Sequence, residues 1–411
     1  MALAVLLASL LVGALLTVPV GGRDFVVSGV DVAAFALFVW GLVEARRRGR
    51  LVVDRALVAY AGIFAVVVVQ LVVFEDRLDL IGGASRFVGP ALILVGLSQL
   101  LHSASDEGPG AFPRVWRWPE LFAVFGSVLA VWIAVLLAGG LADPVNDTFY
   151  DVKNSISMPL GASNYVAAFV LVPAVALLTL GLRRRRYLLL ALLPVAGVAA
   201  TLSRGAFLGL AAGVAVGVAA RWRPRAGVVT MSAVMILVAV ASVLLGILGT
   251  SLPVTASTVA GRLVLLEASW DGFVAHPVIG VGLNSILEVT GSLAEPHVNA
   301  HNLVLQALVT TGILGAVAYL ALWWLLVRRA ARSVLAGDAE AAALAAAATA
   351  LFVHAAAEAL AHTRAVEALL AGILAIAATR PAAGARRERP WGSPDGSPSS
   401  IGADQPQADQ R

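Results

Sequence analysis

An all-α polytopic membrane protein is the fold class this sequence predicts, and two observations carry that expectation. The 411 residues are 60% hydrophobic and only 13% charged, against about 25% charged in a soluble domain. Apolar runs of a length that crosses a bilayer recur from end to end. The apolar runs predict about twelve transmembrane helices, near 2–20, 25–43, 56–74, 87–101, 120–138, 164–182, 187–202, 205–220, 227–248, 302–327, 339–361 and 365–379. They form a single transmembrane domain, 1–380, with a large extracytoplasmic loop, about 249–301, before helix ten.

Each end of the chain follows from composition. Met1–Val20 is apolar without a basic leader, which predicts a first span and not a cleaved signal. The tail 381–411 is rich in Pro, Gly, Ser, Asp and Gln and is expected to be a disordered cytoplasmic segment. The 187–220 pair is a hairpin around Thr201-Leu-Ser-Arg-Gly205.

Arginine placement orients the spans. Alternate loops hold 21 basic residues, in runs such as Arg46-Arg47-Arg48 and Arg183–Arg186; the other side holds 7, which come singly. The positive-inside rule puts the rich side, and both termini, in the cytoplasm. Net charge is +4, in short clusters between spans, which points to membrane lipids and away from nucleic acid. The absence of cysteine excludes disulfides, thiolate catalysis and cysteine metal sites.

Polar variety crowds the outer side. Arg204 stands in Ser203-Arg204-Gly205 at a tight outer hairpin, where a charge is costly unless it is solvated or paired. Arg262 opens a stretch in which Val259, Leu263, Leu266, Trp270 and Phe273 share one helical face. Ser257 or Thr258 can cap that helix, and Pro277 ends it. The pattern predicts a helix on the outer membrane surface, greasy face down, with Arg262 at headgroup depth. Either arginine has a plainer reading as a lipid anchor.

After His276-Pro277-Val-Ile-Gly280-Val-Gly282, an irregular loop is expected to double back over the site. His301 then begins helix ten, where the helix N-terminus disfavours imidazolium and attracts an anion. A neutral imidazole is what a general base needs. His297 is the rival base, and Asn302 can orient the ring or bind substrate. Gly312 and Gly315 are expected to thin one helix face for packing. His354, Glu358, His362, Arg364 and Glu367 cluster at the last hairpin. Asn164, Lys153, Arg86 and Arg364 complete the outer-side polar residues expected at substrate. With no DxD or HExxH motif, a metal-free transfer fits best, the arginines holding a diphosphate leaving group.

The chain resembles the O-antigen ligase / O-antigen polymerase family of bacterial membrane glycosyltransferases. The resemblance lies in Gly161-Ala-Ser-Asn164-Tyr-Val-Ala167, Ser203-Arg204-Gly205, Gly261–Ser285, His301-Asn302-Leu-Val-Leu305 and Thr311-Gly312-Ile-Leu-Gly315, in that order over about 160–325. It implies transfer of a glycan from undecaprenyl diphosphate to a glycan, lipid or protein hydroxyl on the outer face, without cofactor. It implies His301 as base and Arg204 and Arg262 on the diphosphate. Ligase and polymerase are both within its reach. A twelve-span transporter is the other class, but it would show two similar halves and mid-span charges; this sequence shows no repeat, and its mid-span charges are almost absent.

Overall fold

The computed structural model describes residues 1–378 except 13, 21–22, 76, 107–117, 144, 147–148, 157–162, 252–256, 284–299, 359 and 361–362. His297 and the tail 381–411 lie outside the described residues. In chain order the elements are α1 (Ala2–Ser9), β1 (Ala14–Val20), β2 (Arg23–Ser28), α2 (Gly29–Arg47), α3 (Ala56–Val73), α4 (Arg77–Asp106), α5 (Trp118–Ala142) and α6 (Phe149–Ser155). Then follow α7 (Ser163–Gly181), α8 (Arg186–Ala200), α9 (Arg204–Trp222), α10 (Pro224–Leu248), α11 (Ser257–Ala275), α12 (Leu303–Leu335), α13 (Ala339–Ala357) and α14 (Arg364–Ala378). Eight of these, α3, α4, α5, α7, α9, α10, α12 and α13, are long and apolar enough to cross a membrane.

Helices stand at every expected span position but the first. Residues 2–20 are a short helix followed by a strand, and the strand pairs antiparallel with β2, Thr17 opposite Val26. The sequence explains the difference. Leu16-Thr17-Val18-Pro19-Val20 is rich in β-branched residues, and Pro19 cannot continue a helix. The sequence between the strands is Gly-Gly, a pair that hairpin turns favour. The second helix then starts at a capping box, where the Asp31 carboxylate accepts from Ser28 N and Ser28 Oγ, both at 2.8 Å.

Helices α7 and α13 form the centre of the bundle: 83% of each is buried, against 17% of α10 at its edge. A row of glycines brings α9 against both. A Cβ on Gly209 would sit 2.6 Å from Ala350 O, one on Gly213 would sit 2.8 Å from Ala346 O, and Gly217 faces Thr179. Small residues every fourth position on α9 meet the alanine-rich α13, so the two backbones approach closely. Gly41 of α2 and Gly96 of α4 make a second such crossing, where a Cβ on Gly41 would stand 2.7 Å from Gly96 Cα.

Helix α12 is broken at Gly312, whose φ of 61° and ψ of −169° suit glycine alone. The stretch after α11 fills the break. Ile313 N donates to Pro277 O (2.8 Å) and Leu314 N to Val278 O, while Val281 N and Gly282 N donate to Val309 O and Thr310 O. The loop thus supplies the partners that the interrupted helix lacks. Gln70 of α3, fully buried, clasps both strands of chain: its Nε2 donates to Ile279 O (2.5 Å) and Thr310 O (2.8 Å). The role expected of Gly312, thinning a packing face, is therefore corrected: a Cβ there would overlap the Val278 carbonyl. Gly315 likewise faces Thr311 of its own helix. Gly312→Ala combines backbone strain with overlap and should cost about 3–5 kcal/mol of stability. Thermal unfolding of the purified protein checks this; an unchanged midpoint would contradict it.

At one end of the bundle the arginine clusters tie neighbouring turns together. Arg183 Nη1 donates to Gly337 O at 3.0 Å, Arg48 Nη2 to Gln99 Oε1 at 3.1 Å, and Arg329 pairs with the buried Asp54. The opposite end carries the candidate site.

Candidate active site

The site is organised by the end of α13. A helix terminus leaves carbonyls without intrahelical donors and carries partial negative charge. Here those carbonyls meet side chains from two other elements. Ala357 O accepts from Arg262 Nη1 of α11 at 3.0 Å, and Ala356 O accepts from Asn302 Nδ2 at 2.7 Å. The chain then leaves the helix at Glu358 in extended geometry, and its side chain is 1% exposed. One carboxylate oxygen, Oε2, accepts from Arg262 Nη2 (2.8 Å) and from Asn164 Nδ2 of α7 (2.7 Å). Gly205, next to Arg204, makes the room: a Cβ there would lie 2.8 Å from Glu358 Cγ and 3.0 Å from His354 Cδ2.

Two turns of one kind deliver Arg204 and His301. In each, a residue with left-handed backbone precedes an extended N-cap residue. Leu202 (φ 56°) precedes Ser203 at the start of α9; His301 (φ 51°) precedes Asn302 at the start of α12. Non-glycine residues adopt this conformation rarely, histidine more often than leucine.

The caps differ in strength. Ser203 Oγ accepts from Ala206 N at 3.4 Å and lies 3.5 Å from His354 Nε2. Asn302 is buried and fully engaged. Its Oδ1 accepts from Val304 N (2.9 Å) and Leu305 N (3.1 Å), and its Nδ2 donates to Ser242 Oγ (2.8 Å) as well as to Ala356 O. On the other flank Gln306 Oε1 accepts from Ala300 N at 2.6 Å. His301, half-buried, is held between two pinned neighbours.

Arg204 differs from Arg262. It is exposed and, among the described residues, makes no hydrogen bond or ion pair. A cation in the first turn sits at the unfavourable end of the helix dipole, so stability does not account for its place.

A second ring surrounds these groups. Arg86 interacts electrostatically with Arg364 and Tyr165, Tyr165 with Glu358, and Lys153 with His354. Arg364 pairs with Asp31 Oδ2 at 3.0 Å and donates to Ser85 Oγ at 2.7 Å and to Val26 O. The structure thus brings Arg204, Arg262, His301, Asn302 and Asn164 to the end of α13, and sets Arg86, Arg364 and Lys153 around it.

Helix α11 occurs where the stripe of apolar residues placed it, but its greasy face does not lie on lipid. Leu263 and Leu266 are buried, and Trp270 and Phe273 pack on the same core. Trp270 Cβ stands 3.3 Å from the position of a Cβ on Gly246 of α10. The stripe is buried against protein because α10 and α12 offer it an apolar wall.

Sequence reasoning noticed Glu358 only as one of a polar group. Its signal was a lone acid closing an apolar, alanine-rich helix, which is an expensive place for a charge.

No curated protein matches the chain. A family model described as O-antigen ligase matches residues 188–320, about a third of the chain. The match runs from α8 into α12 and takes in Arg204, Arg262, His301 and the Gly312 break; Asn164 and Glu358 lie outside it. In a predominantly helical fold with eight helices long and apolar enough to cross a membrane, the segment 188–320 is thus similar to the O-antigen ligase family.

Proposed function

We propose that this protein is a metal-independent glycosyltransferase that moves a glycan from undecaprenyl diphosphate to an acceptor hydroxyl. The reaction takes place on the outer face of the cytoplasmic membrane, with both termini inside. One observation carries the reading: two arginines, a histidine and the N-termini of α9 and α12 converge on the end of α13. Helix N-termini with guanidinium groups suit a diphosphate.

In this reading His301 Nε2 or Nδ1 takes the proton from the acceptor hydroxyl as its oxygen attacks the anomeric carbon. The bond from that carbon to the phosphate oxygen breaks, and the electron pair leaves on the diphosphate. The leaving group gains one negative charge, which Arg204 and Arg262 stabilise, and the proton on His301 passes to solvent. All four hydrogen-bonding positions of the Asn302 amide are used within the protein, so its support for the reaction is to fix the backbone beside His301. Lys153, Arg86 and Arg364 contribute to the positive surroundings of the substrate phosphates and sugars. Membrane lipids surround the spans.

The test is transfer in proteoliposomes from an undecaprenyl-diphosphate-linked glycan. Arg204→Ala is expected to lower kcat/KM for the donor about 10- to 100-fold, since it removes a charge-assisted contact worth about 1.5–3 kcal/mol. Arg204→Lys should retain part of that, because it keeps the charge and loses the planar fork. Full donor use by the alanine variant would reduce Arg204 to a lipid anchor.

A further inference from the structure

The carboxylate of Glu358 has no part in the transfer just described, yet it is the group to which Arg262 is bound. An acid beside an anion-binding arginine weakens the site it belongs to. Its burial and its two donors within 2.8 Å make it a fixed feature of that site.

We propose that Glu358 is the resident counter-ion of the donor site and drives release of the spent carrier. The inference rests on the donor-site reading above. In the empty site it neutralises Arg262. When a diphosphate binds the exposed side of that guanidinium, Glu358 stays in place, held by Asn164.

The donor and the spent carrier differ in charge. In the donor both phosphates are diesters with one charge each. After transfer the terminal phosphate keeps only its anhydride link and has a second ionisation near pH ~6, so the carrier has gained about one charge. Glu358 repels that added charge.

The magnitudes decide which effect wins. One extra charge about 6.5 Å away, at an effective permittivity of ~20–40, corresponds to about a 10- to 70-fold difference in affinity. Against this, Glu358 also orders Arg262, and ordering one such side chain is worth only about 2- to 10-fold. Repulsion outweighs ordering, so removing the acid should tighten binding of the spent carrier more than of the donor. The cell-side consequence is turnover: a site that holds a triply charged product as firmly as its chemistry would allow empties slowly.

The experiment uses full-length protein in lipid nanodiscs and two probes, undecaprenyl diphosphate and its N-acetylglucosaminyl ester. In Glu358→Gln the dissociation constant for undecaprenyl diphosphate should fall about 10-fold or more, and that for the ester by a smaller factor. An unchanged or raised constant for undecaprenyl diphosphate in the folded variant overturns the proposal, because a purely structural acid would give that result. Glu358→Asp guards against failure to fold. It draws the charge back by one methylene and should tighten undecaprenyl diphosphate at least about 2-fold; a folded Asp variant with wild-type affinity overturns the proposal too. Arg262→Gln with Glu358→Gln separates the two readings. If this double variant binds undecaprenyl diphosphate as tightly as Glu358→Gln alone, Arg262 is no part of a donor site, and the counter-ion role falls with it. If the double variant binds more weakly but Glu358→Gln does not exceed wild type, only the counter-ion role falls.

Discussion

Removal of the His301 imidazole is expected to stop glycan transfer while the fold survives. General-base catalysis contributes about 10²–10⁴-fold, so the rate should fall by that factor. Other side chains hold the surrounding turn: Asn302 caps α12 and Gln306 holds Ala300 N. The choice of replacement matters, because position 301 has a φ of 51°. Alanine adopts that backbone at a cost of about 1 kcal/mol, whereas asparagine tolerates it. His301→Asn therefore removes the base with the least disturbance, and His301→Ala adds a small loss of stability. Initial transfer rates and unfolding midpoints, measured together, check both halves of the expectation. A His301→Asn protein that transfers at the wild-type rate would rule out the base assignment.

The second large effect concerns Arg262, where two losses are superposed. Arg262→Ala strips a buried carboxylate of its partner, since Glu358 is 1% exposed and the arginine 40%. Breaking a buried pair costs about 3–5 kcal/mol, and the exposure of Arg262 puts this one near the low end of that range. The variant is thus expected to lose stability as well as donor use, so lost activity alone would not show that Arg262 touches diphosphate. Adding Glu358→Gln removes the unpaired charge and should return most of the stability. Donor kcat/KM in that double variant should stay at least about 10-fold under that of Glu358→Gln alone. Recovery of donor use together with stability would show that Arg262 serves only to neutralise Glu358.

Much of the architecture was legible because a bilayer imposes simple rules. Long apolar runs favour helices, so α3–α5 and α7–α10 stand where hydropathy put them, while the short α6 lies in an expected loop. The failure at 14–28 is instructive: hydropathy counts Leu and Val as span material, but the β-branched Thr17, Val18 and Val20, with Pro19, favour a strand pair. Arg204 and His301 were legible as costly groups at span ends, and Arg262 as a cation beside the apolar stripe of a loop helix. Glu358 at the centre was not, because its importance lies in contacts with residues 96 and 194 positions away. Nor was the break in α12. Thr311-Gly312 reads as helix until one sees Val278 occupying the space of a side chain.

That break has a consequence for how the chain is fastened around it. Leu283 and Ala300 mark the two ends of a long connection, and each end is fastened independently of it. Before Leu283 the chain is bonded into α12; after Ala300 it is secured by Gln306 and Asn302. Among the described residues, these bonds tie the chain after α11 and the turn before α12 to α12 itself. The elements on either side of that connection, and not the connection, carry Arg262 and His301.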